Sequence, residues 1–204
     1  MRRPGVPTDL KMNVNNVNLP PIILASASPR RAELLGGTGL KFRIVESDAA
    51  EVHPDQLTVC EICQLNACRK ARAVATRFPD SLVLGADTLV QSDNRVFGKP
   101  ASRAAAESML AALQGRTHEV VTGVCLVHLR SHRQKLFAET TKVTFRHLKS
   151  HQIRNYLRVI DPLDKAGAYA IQEQGELIVE KIVGSRSNVV GLPLERLEAE
   201  LSDW

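Results

Sequence analysis

The stretch Leu82-Val83-Leu84-Gly85-Ala86-Asp87-Thr88-Leu89-Val90 sets the terms for the whole chain. Its apolar and β-branched residues call for a buried strand, yet a carboxylate sits at the centre, and an unpaired carboxylate is too costly to bury. Asp87 therefore either lies on a solvent face or a turn, or is delivered by the strand to a site that compensates its charge. Gly85 and Ala86 just before it leave room for backbone or a ligand to come close.

Bulk properties narrow the classes. A chain of 204 residues, 44% hydrophobic and 24% charged, suffices for one domain with a sizeable core. No apolar run approaches the about 20 residues of a membrane-spanning helix. Residues 1–20 carry Arg2, Arg3 and Lys11 among asparagines and prolines, with no apolar core or small-residue cleavage pattern. We expect a loose leader there, not a secretion signal, and a single domain over residues 21–204 in the cytoplasm. A net charge of +5 suits an anionic ligand or simple solubility. With 4% aromatic residues and no tract mixing basic and aromatic side chains, neither a nucleic-acid partner nor a membrane is expected. Cys60 and Cys63 have the C-x-x-C spacing, but no second pair follows and His53 is the only histidine nearby, too few ligands for zinc. Together with Cys68 and Cys125 they are expected to be small buried side chains in a reduced compartment.

Along the chain, Pro21 to Ala25 reads as a buried strand that passes at once through Ser26-Ala27-Ser28 into a helix, with Ser28 as N-cap and Pro29 as its first residue, ended by Gly36-Gly37. A strand turning into a helix through small hydroxyl residues aims free amides and the positive end of the helix at whatever lies above the strand, and Arg30 and Arg31 add full charges. An ordinary capped helix with solvated arginines has the same sequence. Phe42 to Val45 is a short strand, and Glu46 to Pro54 an acidic loop from which Glu51 could reach a metal or a sugar hydroxyl. From Leu57 to Phe78 the period is helical, with Cys60, Cys63, Ala67, Ala71, Val74 and Phe78 on one stripe. Lys70 stands seven residues after Cys63 and four before Val74, inside that stripe, where a cation must snorkel or meet an anion.

After the Asp87 strand, Ser92-Asp93-Asn94 turns into Arg95-Val96-Phe97, a hairpin that ends at Gly98-Lys99-Pro100. A P-loop would need glycine at position 93 and a hydroxyl after Lys99; Asp93 and Pro100 stand there instead, although Lys99 can still meet phosphate as a point charge. Ser102 to Gln114 is an alanine-rich helix stopped by Gly115. Thr117 to Val127 and Leu136 to Phe145 form long antiparallel strands, and Lys149 to Val159 a short helix. In Lys165-Ala166-Gly167-Ala168-Tyr169-Ala170-Ile171-Gln172 the small residues let backbone lie flat beside a ligand, and Gln172 offers a donor and an acceptor that complement a uracil-like base edge. Leu177 to Val183 is a last strand before an amphipathic terminal helix.

From about Pro21 onward the chain resembles the Maf family of nucleoside triphosphate pyrophosphatases. The resemblance is carried by Ser26-Ala27-Ser28-Pro29-Arg30-Arg31, Gly85-Ala86-Asp87-Thr88, Gly98-Lys99-Pro100, Gln114-Gly115-Arg116-Thr117-His118, Lys165 to Gln172, and Gly184-Ser185 through Asn188-Val189-Val190-Gly191-Leu192-Pro193, in that order. It implies an α/β fold similar to the inosine triphosphate pyrophosphatases, with an elongated mixed sheet, flanking helices and two lobes around a cleft, and a homodimer. It also implies hydrolysis of a nucleoside triphosphate to the monophosphate and pyrophosphate with a divalent cation, Mg²⁺ or Mn²⁺. Thr117-His118 and the Lys165 to Gln172 stretch look like the branch acting on dTTP and UTP; the alternatives are 7-methyl-GTP, a broader nucleotide range, or a non-catalytic nucleotide-binding regulator.

By the same resemblance Asp87, Lys70 and Lys99 are the catalytic set, Asp87 either holding the metal, with help from Glu51, or orienting the attacking water, two roles the sequence does not separate. Ser26, Arg30, Arg31, Thr88, Thr117, Lys165 and Gln172 are the substrate-binding set. The residue types suit the chemistry, because cleaving a triphosphate requires its charges to be screened, a water oriented and a leaving pyrophosphate stabilised. Glu173 departs from the pattern, in which a glycine commonly follows Ile-Gln.

Overall fold

The run around Asp87 is an 11-residue strand, β3 (Leu82–Ser92), buried along most of its length. In the computed structural model, which describes Met12, residues 19–93 and residues 95–204, β3 sits inside a seven-stranded mixed sheet. The other elements are β1 (Ile22–Ala25), α1 (Pro29–Gly36), β2 (Phe42–Ile44), α2 (Val59–Ala75), β4 (Arg95–Phe97), α3 (Arg103–Leu113), β5 (Thr117–His128), β6 (Arg133–Phe145), α4 (Ser150–Val159), β7 (Val179–Val183), α5 (Arg186–Val190) and α6 (Leu194–Ser202). The strand order is β2-β1-β3-β5-β6-β7, with β4 pairing to β3 as a hairpin. β1 is parallel to both β2 and β3, so α1 and α2 serve as crossovers, whereas β3, β5, β6 and β7 pair antiparallel. An α/β architecture with a mixed sheet and flanking helices is thus what the chain adopts.

The sheet has a notch beside β3. β1 ends at Ala25, opposite Gly85, and β4 begins its pairing only at Val90. Between these limits Ala86 to Leu89 carry no strand on that side, although the other edge of β3 is paired to β5 without a break from Val83 to Gln91. Successive residues of a strand point to opposite faces. At the notch, Asp87 from one face and Thr88 from the other both border the same open space.

Helix starts follow local chemistry at α2 and α3 and depart from it at α1. Thr58 and Glu61 form a reciprocal capping box on α2, and the Ser102 hydroxyl accepts from the Ala105 N–H on α3. Ser28 occupies the N-cap of α1 with Pro29 inside the first turn, but the expected hydroxyl cap is absent. The Ser28 N–H instead donates to Ser26 Oγ at 3.2 Å, which leaves the first amides of α1 uncapped by that side chain. The expected strand from Leu177 begins at Val179, because Gly175–Leu177 closes a 3₁₀ turn, and α5 is a helix that no apolar period announced. Of the leader expected over residues 1–20, all but Met12, Leu19 and Pro20 lie outside the described residues. Met12 is buried, and its N–H donates to the Thr38 carbonyl at 3.3 Å.

One face of the sheet packs beneath α1, α3, α4 and α6 around Leu35, Leu84, Leu110, Tyr156 and Leu197. The opposite face is covered by α2 through small residues, with Ala67, Ala71, Val74 and Cys125 in one cluster and Cys63 with Leu89 and Val121 in another. Cys63 and Cys125 are buried as expected, whereas Cys60 is exposed and Cys68 half-buried. Cys60 falls at the edge of the stripe, whose buried core runs through Ile62, Cys63, Asn66 and Ala67 instead.

Two glycines bring α2 against the sheet. A methyl group on Gly85 would overlap the Ala67 carbonyl and crowd the Ala71 N–H, and one on Gly123 would overlap the backbone of Cys63 and Gln64. Replacing Gly123 by alanine must therefore push the helix off β5, and we expect a loss of about 3 kcal/mol of folding stability in urea denaturation, the upper end of ordinary overpacking costs.

Candidate active site

A cavity of about 750 Å³ opens at the notch. Its walls come from the β1–α1 turn, the loop around Glu51, α2, β3, the Gly98-Lys99 corner, the segment from Asp164 to Gln172 and the residues after α5. Asp87 stands on the α2 side and is 4% exposed. Both of its oxygens are satisfied: Lys70 Nζ donates to Oδ1 at 2.7 Å and Asn66 Nδ2 to Oδ2 at 3.1 Å. Asn66 and Lys70 are one helical turn apart, so α2 presents an amide and an ammonium together to a single carboxylate.

The same two side chains fix the acidic loop. Lys70 Nζ donates to Glu51 Oε1 at 2.6 Å, while Asn66 bonds both backbone groups of Val52, accepting from its N–H at 2.9 Å and donating to its carbonyl at 3.1 Å. Burial alone would raise the Glu51 carboxyl, but the hydrogen bond and charge of Lys70, with the charge of Lys99, hold it below its ordinary value. Glu51 and Asp87 are thus neighbouring carboxylates around one ammonium. Lys99, exposed on the cavity wall, has no ion-pair partner among the described residues.

On the other side of β3 a chain of directed hydrogen bonds holds Arg31. Its Nε donates to the Gly191 carbonyl at 2.8 Å, one guanidinium nitrogen to Ser26 Oγ at 3.3 Å and the other to Thr88 Oγ1 at 3.0 Å. Thr88 Oγ1 lies 2.9 Å from Thr122 Oγ1, and the Thr122 hydroxyl donates to the Asn188 carbonyl at 3.2 Å. Since that commits the Thr122 proton, Thr88 is the donor in the threonine pair. Burial lowers the Arg31 pKa, and the charge of Asp87 opposes that effect.

Arg30 reaches across the cavity to Asp164, donating to Oδ2 at 2.5 Å and to the Asp164 carbonyl at 3.0 Å. Asp164 also accepts from Lys165 Nζ at 2.8 Å, and that ammonium further meets the Asp161 carbonyl at 2.7 Å and Glu173 at 3.4 Å. Lys165 is 4% exposed, so it is a strut between loop segments and not a free cation, although it borders the cavity. Burial raises the Asp164 carboxyl less than Lys165 and Arg30 lower it. Gln172 is half-buried and lines the wall beside Tyr169, whose hydroxyl lies 2.8 Å from Nε2 of the buried His118. Burial pushes the His118 imidazole down to about 4, so this pair is neutral at pH 7.

Of the residues expected from the sequence, the cavity brings together Ser26, Arg30, Arg31, Glu51, Lys70, Asp87, Thr88, Lys99, Lys165 and Gln172. Thr117 stands elsewhere: it is exposed at the start of β5 with its hydroxyl 2.8 Å from that of Thr144 across the β5–β6 pair. The motif containing it contributes the buried His118 behind Tyr169 instead. Asn66 and Asp164 were not anticipated. A polar residue one turn before Lys70 on the same stripe was the available signal for Asn66; Asp164 has none, because only the folded loop aims it at Arg30.

The family model for Maf-like proteins matches residues 21–204 of the chain. This chain belongs to the Maf-like family. A relative from Moorella thermoacetica named dTTP/UTP pyrophosphatase is 50% identical over 181 residues, covering 89% of this chain and 93% of its own. Others carrying that name come from Akkermansia muciniphila, 47% identical over 176 residues with 86% and 92% covered, and from Bacillus cereus, 44% identical over 187 residues with 92% and 91% covered. All ten residues gathered at the cavity lie within the part of this Maf-like chain that the family model spans.

Proposed function

We propose that this Maf-like chain hydrolyses dTTP and UTP to the nucleoside monophosphate and pyrophosphate, in the cytoplasm, and that a divalent cation, Mg²⁺ or Mn²⁺, takes part. The observation that carries this reading is the meeting of the Glu51 and Asp87 carboxylates with the cationic side chains of Arg30, Arg31, Lys70 and Lys99 on one nucleotide-sized cavity, in a chain whose relatives bear that activity in their names. Four free cysteines suit a reducing compartment, and no helix among the described residues is long and apolar enough to cross a membrane.

Asp87 is the group whose position is held most tightly, by Lys70 on one oxygen and Asn66 on the other. A carboxylate so fixed orients a water for attack on the α-phosphorus, where the new P–O bond forms as the bond to the β-phosphate oxygen breaks and pyrophosphate departs. Lys99 at the wall and Arg30, released from Asp164 by the incoming phosphates, stabilise the charge that builds on the leaving group. Arg31 is preset by Ser26, Thr88 and Gly191 and lends its charge without having to rearrange.

Among the described residues no group of three or more metal-ligating side chains occurs. Two adjoining carboxylates with the phosphates of the substrate nonetheless fit the way Mg²⁺ is ordinarily held, with one or two acidic side chains and several waters. Glu51 and Asp87 would hold the cation, whose chemistry there is to neutralise triphosphate oxygens. At the other end Gln172 offers a donor and an acceptor to the imide edge of thymine or uracil, which is the reason for preferring pyrimidine substrates.

Three outcomes are expected in a pyrophosphate-release assay over a panel of nucleoside triphosphates. Asp87→Asn should retain its circular-dichroism spectrum and lose at least about a hundredfold in kcat, the scale of a lost acid–base or positioning group; near-normal turnover would remove Asp87 from the chemistry. Stripping divalent cations with EDTA should stop release, and adding Mg²⁺ or Mn²⁺ should restore it; full activity in EDTA would sink the cation reading. Gln172→Ala should narrow the preference for dTTP and UTP over purine triphosphates about tenfold or more with little change in kcat on dTTP, and an unchanged profile would count against the base contact.

A further inference from the structure

Helix α2 carries both donors to Asp87, and it also carries a thiol that faces another thiol on the sheet. Cys125 is directly opposite Gly85 in the β3–β5 register, and directly opposed residues point to the same face, which here is the face covered by Ala67 and Ala71. Cys68 follows Ala67 along the helix and packs on the cluster that contains Cys125. The two thiols are thus neighbours at that cluster, close enough for each to feel the other's charge. Cys125 is fully buried, whereas Cys68 is half-buried, with its Sγ 4.0 Å from Gln134 Oε1 on β6 and therefore open to a small reagent. Arg72, one turn further along α2, donates to the same Gln134 oxygen at 2.6 Å and places a cation near the pair. Among the described residues lining the cavity neither cysteine is found, so the reaction proposed above does not use them.

We propose that Cys68 and Cys125 are an oxidisable pair, closed by a peroxide into a disulfide that pins α2 to β5 and slows turnover. The Cys68 thiolate attacks one peroxide oxygen; the O–O bond breaks, water or alcohol leaves, and Cys68 becomes a sulfenic acid. Cys125 sulfur then attacks the Cys68 sulfur, the S–O bond breaks, and the departing hydroxide takes the Cys125 proton to leave as water. Two thiols lose two electrons and two protons, and the peroxide O–O bond takes them up. Burial keeps Cys125 protonated until that step, which makes Cys68 the first to react and Cys125 the resolving partner.

Why the link should reach the cavity follows from the glycine contacts. A disulfide imposes its own Cα separation, roughly 4.4–6.8 Å, and a fixed torsion. Gly85 and Gly123 already rest against the backbone of α2, so the pull of the new bond is taken up by the helix turning about those contacts and not by a closer approach to the sheet. Asn66 and Lys70 flank Cys68 and turn with it, away from the positions that hold Asp87 and Glu51.

The slowing rests on the function proposed above; formation of the link does not. Full-length protein treated with hydrogen peroxide, alkylated and digested without reductant should yield a Cys68–Cys125 cross-linked peptide lighter by two hydrogens than its reduced parts. Nucleotide turnover should fall about tenfold, in line with the cost of a sub-ångström misplacement, and return with dithiothreitol. Cys68→Ser should keep the untreated rate and abolish both effects, while Cys60→Ser should preserve both. If peroxide leaves the two residues unlinked, or carries Cys68 only to a sulfinic acid, the pair is overturned whether or not any nucleotide is hydrolysed. A link with an unchanged rate would overturn the coupling through α2.

Discussion

A carboxylate nearly excluded from solvent inside a β-sheet has to be compensated by its neighbours, and in this chain that requirement organises the cavity. Asp87 draws an ammonium and an amide from α2, and these in turn hold Glu51 and Val52 of the acidic loop. Removing either donor would leave a buried charge short of a partner, a far larger cost than that of an exposed pair. The arrangement is thus structural and chemical at once: the interactions that make the strand tolerable also aim its one acid.

The notch in the sheet explains why such an acid is accessible. Had β1 continued past Ala25, or β4 paired further back than Val90, the edge of β3 beside Asp87 and Thr88 would be covered by another strand. Leaving a few residues of a central strand unpaired on one side exposes both of its faces to a single ligand. The acid–lysine group then serves one face and the Arg31–Thr88–Thr122 relay the other. Arg30 spans the opening to Asp164, so an ion pair bridges the two walls of the cavity.

Much of this was legible in the sequence, for identifiable reasons. The buried run with a carboxylate at its centre, a lysine inside an apolar stripe, and arginines directly after a strand-to-helix turn are each local conflicts between residue type and environment, and such conflicts are readable without coordinates. The strands and most helices followed from period and caps. What stayed hidden was set by distance in the fold. Asp164 meets Arg30 across 134 positions of chain, and Lys165 is spent on loop carbonyls and carboxylates that no spacing reveals. Thr117 was misplaced because a motif was credited as a unit, when its neighbour His118 points inward and Thr117 itself outward, as alternation along a strand requires. The cysteine stripe misled for a similar reason: period alone located the face but not its edge, and Cys60 fell beyond it.

The contact of α2 with Gly85 and Gly123 divides the cavity into two materials. Where main chain rests on main chain there is no side chain to vary, and the acid, its lysine and its asparagine are carried by that rigid half. The opposite wall, from Asp164 to Gln172, is loop and short turn, in which Ala168, Tyr169 and Ile171 are packed into the core while Asp164 and Gln172 face the cavity. Variation of this cavity is therefore confined to the few loop positions that face it, while the half that carries Asp87 is fixed by main-chain contact.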